Sequence, residues 1–262
     1  MTDRQIRSQQ YRRVSSNAQR KCFTNEELKS LNERYDTDDP DALLRWASDQ
    51  FGKTLVLGTG FGPSGIVLIH RLVELDLPVK VFCLDTGVLF KQTYKLWKRV
   101  ERRFNINIEK VSPILTLDGQ RDLHKANLWE SDPDRCCHIR KVLPLQKYLA
   151  NKHAWITGLR RSQSEWREQT QPVQWDSGNR VYKLSPLLNW SRERVWDYID
   201  EHDLPYNPMH DDGFPSIGCI PCTAPADDQS DERSGRWKEM EKTECGIHLP
   251  TLDPKEDPQN SS

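Results

Sequence analysis

From Lys53 onward, short apolar runs alternate with longer amphipathic ones: residues 54–57, then 65–75, 79–84, 90–104 and 106–111. Buried strands that pair in parallel need a crossover between them, and a helix with one apolar stripe is the usual crossover, so this alternation selects an α/β fold with a doubly wound, mostly parallel sheet. A helix over 138–150 leads into a fourth strand at 154–157, and 181–184 reads as a fifth. Ser191 then caps a helix reaching about residue 201. Upstream, 22–50 holds two polar helical patterns that look peripheral, the first opened by Thr24 with Glu27 three places on, as in a capping box. Pro205, Pro208, Pro215, Pro221 and Pro225, with Gly213 and Gly218, turn 205–226 into loop. A short helical stretch is expected around 237–242, and 253–262 is too polar to fold. The chain thus divides into a basic, solvated tail (1–21), an α/β unit with a helical lead-in (22–226) and a mobile C-terminal segment (227–262).

At 262 residues the expectation is one sizeable core, and nine Trp, seven Tyr and seven Phe supply material to bury. A net charge of −1 gives no overall field for nucleic acid or an anionic membrane, so neither is expected as a partner. No apolar run approaches the ~20 residues of a membrane span, and no secretory signal is visible. The seven cysteines are therefore expected in the reducing cytoplasm, where metal or catalytic roles outweigh disulfides.

The first strand runs into Gly58-Thr59-Gly60-Phe61-Gly62-Pro63-Ser64-Gly65 and then a helix. Such a turn lets backbone N–H groups and a helix N-terminus face an anion, although glycines needing positive φ in a tight turn would account for it equally well. The second strand ends in Leu84-Asp85-Thr86-Gly87, at the same carboxyl rim of the sheet, where open parallel sheets bind ligands. Asp85 or Thr86 there is also a ready helix cap. Arg160 and Arg161 follow the fourth strand, where a guanidinium fork suits phosphate or sulfate.

Cysteine spacing is the most specific signal. Cys136 and Cys137 are adjacent, Cys219 and Cys222 form a C-x-x-C in the proline-broken loop, and Cys245 stands apart near the end. Two pairs make four thiolate ligands, for zinc or for iron and sulfur. Neighbouring side chains diverge, which favours a four-iron cube with a separate iron for each thiolate. A redox C-x-x-C and plainly buried thiols are the alternatives. Cys245 sits between Lys242 and His248, a setting that favours the thiolate and makes it a candidate nucleophile, or else a spare thiol. Cys22 and Cys83 carry no assigned role.

Taken in order, Phe61-Gly62, Leu84-Asp85-Thr86-Gly87, Cys136-Cys137 with Ile139-Arg140-Lys141, and Gly158-Leu159-Arg160-Arg161 with Gln163-Ser164 form a recognisable set. Gly218-Cys219 with Pro221-Cys222-Thr223, Glu232-Arg233 with Gly235-Arg236-Trp237, and Glu244-Cys245-Gly246-Ile247-His248 complete it. On these motifs the chain resembles the sulfonucleotide reductases, and among them the assimilatory adenosine 5′-phosphosulfate reductases, over about residues 54–249. The resemblance implies an adenine nucleotide α-hydrolase-like (PP-loop) fold and a [4Fe-4S] cluster on Cys136, Cys137, Cys219 and Cys222. It implies Cys245 as the nucleophile that takes the sulfonate group from adenosine 5′-phosphosulfate, and thioredoxin or a similar dithiol as the reductant that then releases sulfite. Gly60, Phe61, Gly62, Ser64, Leu84, Asp85 and Gly87 would then seat the adenosine. Lys141, Arg160, Arg161, Arg167, Arg233, Arg236 and His248 would gather at the phosphosulfate. Gly60 stands where many members carry serine, and Pro63-Ser64 replaces a commoner pair. A 3′-phosphorylated substrate, an ATP-using thiolation enzyme of the same fold and a zinc-binding interaction module remain the alternatives, and a homo-oligomer is compatible with the sequence.

Overall fold

A computed structural model describes residues 22–124, 126–226, 231–238, 242 and 244–248. The tail at 1–21 and the stretch 253–262 lie outside the described residues.

Helix α1 (Asn25–Tyr35) begins with the Thr24–Glu27 capping box, and α2 (Pro40–Phe51) is capped by Asp39 with proline in its first turn. They are not peripheral, because Tyr35, Leu43, Leu44, Ala47 and Phe51 enter the main core. The alternation then resolves as β1 (Leu55–Gly58), α3 (Pro63–Glu74), β2 (Lys80–Leu84), α4 (Lys91–Phe104) and β3 (Ile108–Val111). A short helix α5 (Leu117–His124) and two single turns, α6 (Leu128–Ser131) and α7 (Pro133–Cys137), follow. The run read as one helix from 138 is a π-helical turn (His138–Val142) continued by α8 (Leu143–Leu149). Then come β4 (Ala154–Ile156), β5 (Val173–Asp176), β6 (Val181–Leu184) and α9 (Arg192–Glu201), which Ser191 caps.

The six strands lie in the order β3-β2-β1-β4-β6-β5. All neighbours are parallel except β5, an antiparallel edge strand absent from the sequence reading. Period-two alternation sends Leu55 and Leu57 of β1 into the main core and Val56 to the other face, where it packs with Phe82, Trp155, Val181, Leu145 and Leu149. The chain leaves β1 toward β2 on one side, while β4 pairs with β1 on the other. This makes a topological switch point, whose crevice opens between the turns after β1 and β4.

Residues 205–226 hold only two 3₁₀ turns, Pro208–His210 and Ile220–Cys222. The second is fastened by bridges from Leu89 to Cys219 and from Thr223 to Arg236. The helix expected at 237 is not formed at Trp237, which has φ +52 and is buried against Cys219 and Cys222; residues 239–241 lie outside the described set.

Candidate active site

The crevice is a cleft of about 300 Å³. One wall is the glycine turn, where Gly60, Gly62 and Ser64 line the space and a Cβ at Gly60 or Gly62 would meet nothing within 4 Å. The positive φ expected of these glycines falls instead on Phe61 (φ 61). Its amide donates to Thr59 Oγ1, and its ring turns into the core against Trp97. Gly58, Gly65 and Gly158 are required by contact. An added Cβ would come within 3.0 Å of the Phe82 ring, 2.6 Å of Thr59 Oγ1 and 3.0 Å of Ser64 Cβ respectively.

Leu84 and Thr86 face the cleft, but Asp85 and Gly87 do not. The Asp85 carboxylate accepts from the Gly87 amide and Tyr94 Oη and pairs with Lys110, so it shapes the turn and leaves the lining to its neighbours. Gly87 has φ +77, with Arg140 packed beneath it. Arg160 lines the cleft already engaged, donating to Ser64 Oγ and to both carboxylate oxygens of Glu232. Arg161, the next residue, points away and holds Asp36 and Asn189. It is not part of the cleft.

Cys245 also lines the cleft, partly exposed, with Lys141 Nζ 3.8 Å from its sulfur. Arg167, Arg233, Arg236 and His248 line the cleft with it. Arg236 lies flat on Gly218, stacks 4.6 Å from the Trp237 ring centroid and donates to the Cys222 carbonyl. Arg167 donates through Nε and Nη2 to the two oxygens of Glu244, and Arg233 adds a third bond to that carboxylate. Burial and the neighbouring Arg167 push Arg233 down to about 10, which leaves it cationic at neutral pH. Burial alone would raise Glu244, but Arg167, Arg233 and the Cys245 amide hold it below the usual carboxylate range. A hydrogen bond shared with Cys137 holds the Cys245 thiol well below its ordinary value, and Lys141 and Arg236 add to this against the effect of burial. Burial opposes charge on Lys141, yet the sulfurs of Cys219, Cys245 and Cys137 raise it. His248 is kept neutral by burial and by Arg167 and Lys183, and stacks on Trp155 with ring planes 11° apart.

The four paired cysteines are buried. Cys219 and Cys222 pack with Val88, Trp237 and Cys245. Cys136 is near enough for both of them to raise its thiol, after burial, to about 11. Thr86 Oγ1 lies 3.3 Å from Cys219 Sγ, and Gln120 Nε2 lies 3.9 Å from Cys136 Sγ. Such donors suit sulfurs that carry negative charge. Among the described residues no three His, Cys, Asp or Glu side chains gather tightly enough to hold one ion. Gln120, Glu232 and Glu244 carried no role in the sequence reading.

Residues 54–225 match the model of the phosphoadenosine phosphosulfate reductase domain. The chain belongs to this family. A Salinibacter ruber relative named adenosine 5′-phosphosulfate reductase is 48% identical over 84% of this chain and 88% of its own. One of the same name from Bacillus mycoides is 46% identical over 84% and 94%. Among solved structures, the phosphoadenylyl-sulfate reductase of Candida auris superposes with a TM-score of 0.70 at 29% identity, covering 78% of this chain and 99% of that one. A Candida glabrata FMN adenylyltransferase in complex with ATP shares the fold alone, with a TM-score of 0.54 at 15% identity over 79% and 68%. The family's fold is the adenine nucleotide α-hydrolase-like one implied by the sequence motifs.

Proposed function

We propose that the protein reduces adenosine 5′-phosphosulfate, the substrate its relatives are named for, to sulfite and AMP. The observation that carries this reading is Cys245 beside Lys141 in a cleft lined by Arg167, Arg233, Arg236 and the glycine turn. The Cys245 thiolate attacks the sulfate sulfur, the S–O bond to the phosphate breaks, and AMP leaves with the bonding pair. The sulfonate then sits on Cys245 as a thiosulfonate. A dithiol, of the thioredoxin kind, attacks Cys245 Sγ and releases sulfite with the S–S electron pair. Its second thiol closes the disulfide, so sulfur gains the two electrons that the dithiol loses. Bringing a thiolate to an anionic sulfuryl group is the electrostatic problem, and Lys141, Arg167, Arg233 and Arg236 answer it by neutralising oxygens of the substrate and of the departing phosphate.

Cys136, Cys137, Cys219 and Cys222 would hold a [4Fe-4S] cluster. The four buried sulfurs support this, with Thr86 Oγ1 at 3.3 Å from Cys219 and Gln120 Nε2 at 3.9 Å from Cys136. When bound, it supplies a fixed charge beside Lys141. The nucleotide without a 3′-phosphate is the preferred substrate in this reading, since the similar relatives are named for it at 45–48% identity while the solved 3′-phosphonucleotide enzyme is at 29%. A reducing, cytoplasmic setting suits seven free cysteines, and no described helix is long and apolar enough to cross a membrane. The oligomeric state is open to a sizing measurement. The test is sulfite release from both nucleotides with a dithiol, alongside iron and acid-labile sulfide analysis. A higher kcat/KM for adenosine 5′-phosphosulfate, with iron and sulfide in equal amounts, supports the reading. Absence of sulfite overturns the activity, and zinc without iron overturns the cluster.

A further inference from the structure

The cation cage is not empty of anions. The Glu244 carboxylate, only 3% exposed, takes both forks of Arg167 at 2.8 and 2.9 Å and one nitrogen of Arg233 at 3.0 Å. This is the planar, bidentate recognition that a guanidinium gives to phosphate or sulfate oxygens. The same carboxylate accepts the backbone amide of Cys245 at 2.7 Å. One group therefore fills the arginines and fixes the nucleophile's backbone.

We propose that Glu244 is a resident anion: it occupies Arg167 and Arg233 when the cleft holds no ligand, and the anionic group of the ligand displaces it. Charge makes the two occupants exclusive. A carboxylate left on these arginines would face the sulfuryl oxygens across a few ångströms and offset one of the cations that neutralise them. Leaving the cage also breaks the bond from the Cys245 amide, so ligand binding loosens residues 244–248 from their dock on Trp155, Val142 and Trp237. The arginines stay paired and organised between turnovers, and Cys245 gains freedom only when an oxyanion is in place. After AMP departs, the returning carboxylate competes with the thiosulfonate for the same forks and turns it outward to the dithiol. The inference rests on the proposed function only for this last step.

The experiment uses the full-length protein with its metal content intact and inorganic sulfate as probe, which needs no turnover. Glu244→Gln removes the competing charge, and we expect sulfate to bind about tenfold more tightly by calorimetry, the order of one charge-assisted contact released. In the unsubstituted protein, saturating sulfate should speed hydrogen exchange of the peptide carrying residues 244–248. In Glu244→Gln that exchange should be fast without sulfate. Unchanged or weaker sulfate binding by the variant would show a carboxylate that merely props the arginines and would overturn the proposal. So would sulfate that leaves or slows exchange in the unsubstituted protein, a result independent of how well the variant folds. A protein that passes both tests and yields no sulfite from adenosine 5′-phosphosulfate refutes the activity alone.

Discussion

Lys141 is half-buried, charged and within 3.8 Å of the Cys245 sulfur, on the π-helical turn that directly follows Cys136 and Cys137. Lys141→Ala should lower kcat/KM by about 10²–10³-fold, the range for removing one preorganised charge from a site of this kind. AMP affinity, measured by calorimetry, should change far less, and equal losses in both would assign Lys141 to binding. The sequence singled out Cys245 by its place between Lys242 and His248, and Lys141 by the family motif that follows Cys136 and Cys137; the fold brings the two together. Glu244 and Glu232 were not, because acids are abundant in this chain and only the fold brings these two to Arg167, Arg233 and Arg160. Arg161 misled for a related reason. Consecutive side chains after a strand point to opposite sides, so the twin of a cleft arginine ends on Asp36.

The glycine turn and the α3–α9 contact fix the cleft wall. Gly65→Val would drive a branched side chain into Thr59 Oγ1, the acceptor of the Phe61 amide, and should cost about 1–3 kcal/mol by overpacking, read from the denaturant midpoint at unchanged slope. Further along α3, His70 Nδ1 lies 2.8 Å from Tyr198 Oη of α9, with His202 and Arg71 beside it, Arg103 of α4 nearby and Glu74 at 3.7 Å. Burial holds His70 below its ordinary 6.5, with His202, Arg71 and Arg103 adding to the effect and Glu74 opposing it. A folded value below the unfolded one means that the native state binds fewer protons. The contribution is therefore full above 6.5 and is lost as pH falls from there toward the folded value. Stability should fall as pH drops below about 6.5, and His70→Gln should flatten that part of the profile, checked by denaturant titration at each pH. A profile as steep in the variant would place the titration elsewhere. The β1-to-β3 elements were legible because apolar period and length agree there. Strand β5 was not, since Val-Gln-Trp-Asp alternates for only four residues between Pro172 and a turn, and its Trp175 stays exposed at the sheet edge and adds nothing to the core.

A core on each face carries the sheet and its helices, and a smaller cluster around Cys219, Cys222 and Trp237 joins the C-terminal segment to the proline-broken loop. Thr223 pairs with Arg236, the Ala224 amide bonds the Gly235 carbonyl, and Glu244 closes onto Arg167 of the loop between β4 and β5. These long-range links convert scattered motifs into a single site. Their existence was signalled by residue type, while their pairing depends on a topology that no local pattern encodes. The central claim is that Cys245, delivered by this segment, takes the sulfonate from the nucleotide. It is tested most directly by mixing the protein with adenosine 5′-phosphosulfate without any dithiol and mapping the product by peptide mass spectrometry. The account predicts one SO₃ group on Cys245 with one equivalent of AMP released, and no adduct in Cys245→Ser. AMP released without a Cys245 adduct, or an adduct confined to another cysteine, would contradict it.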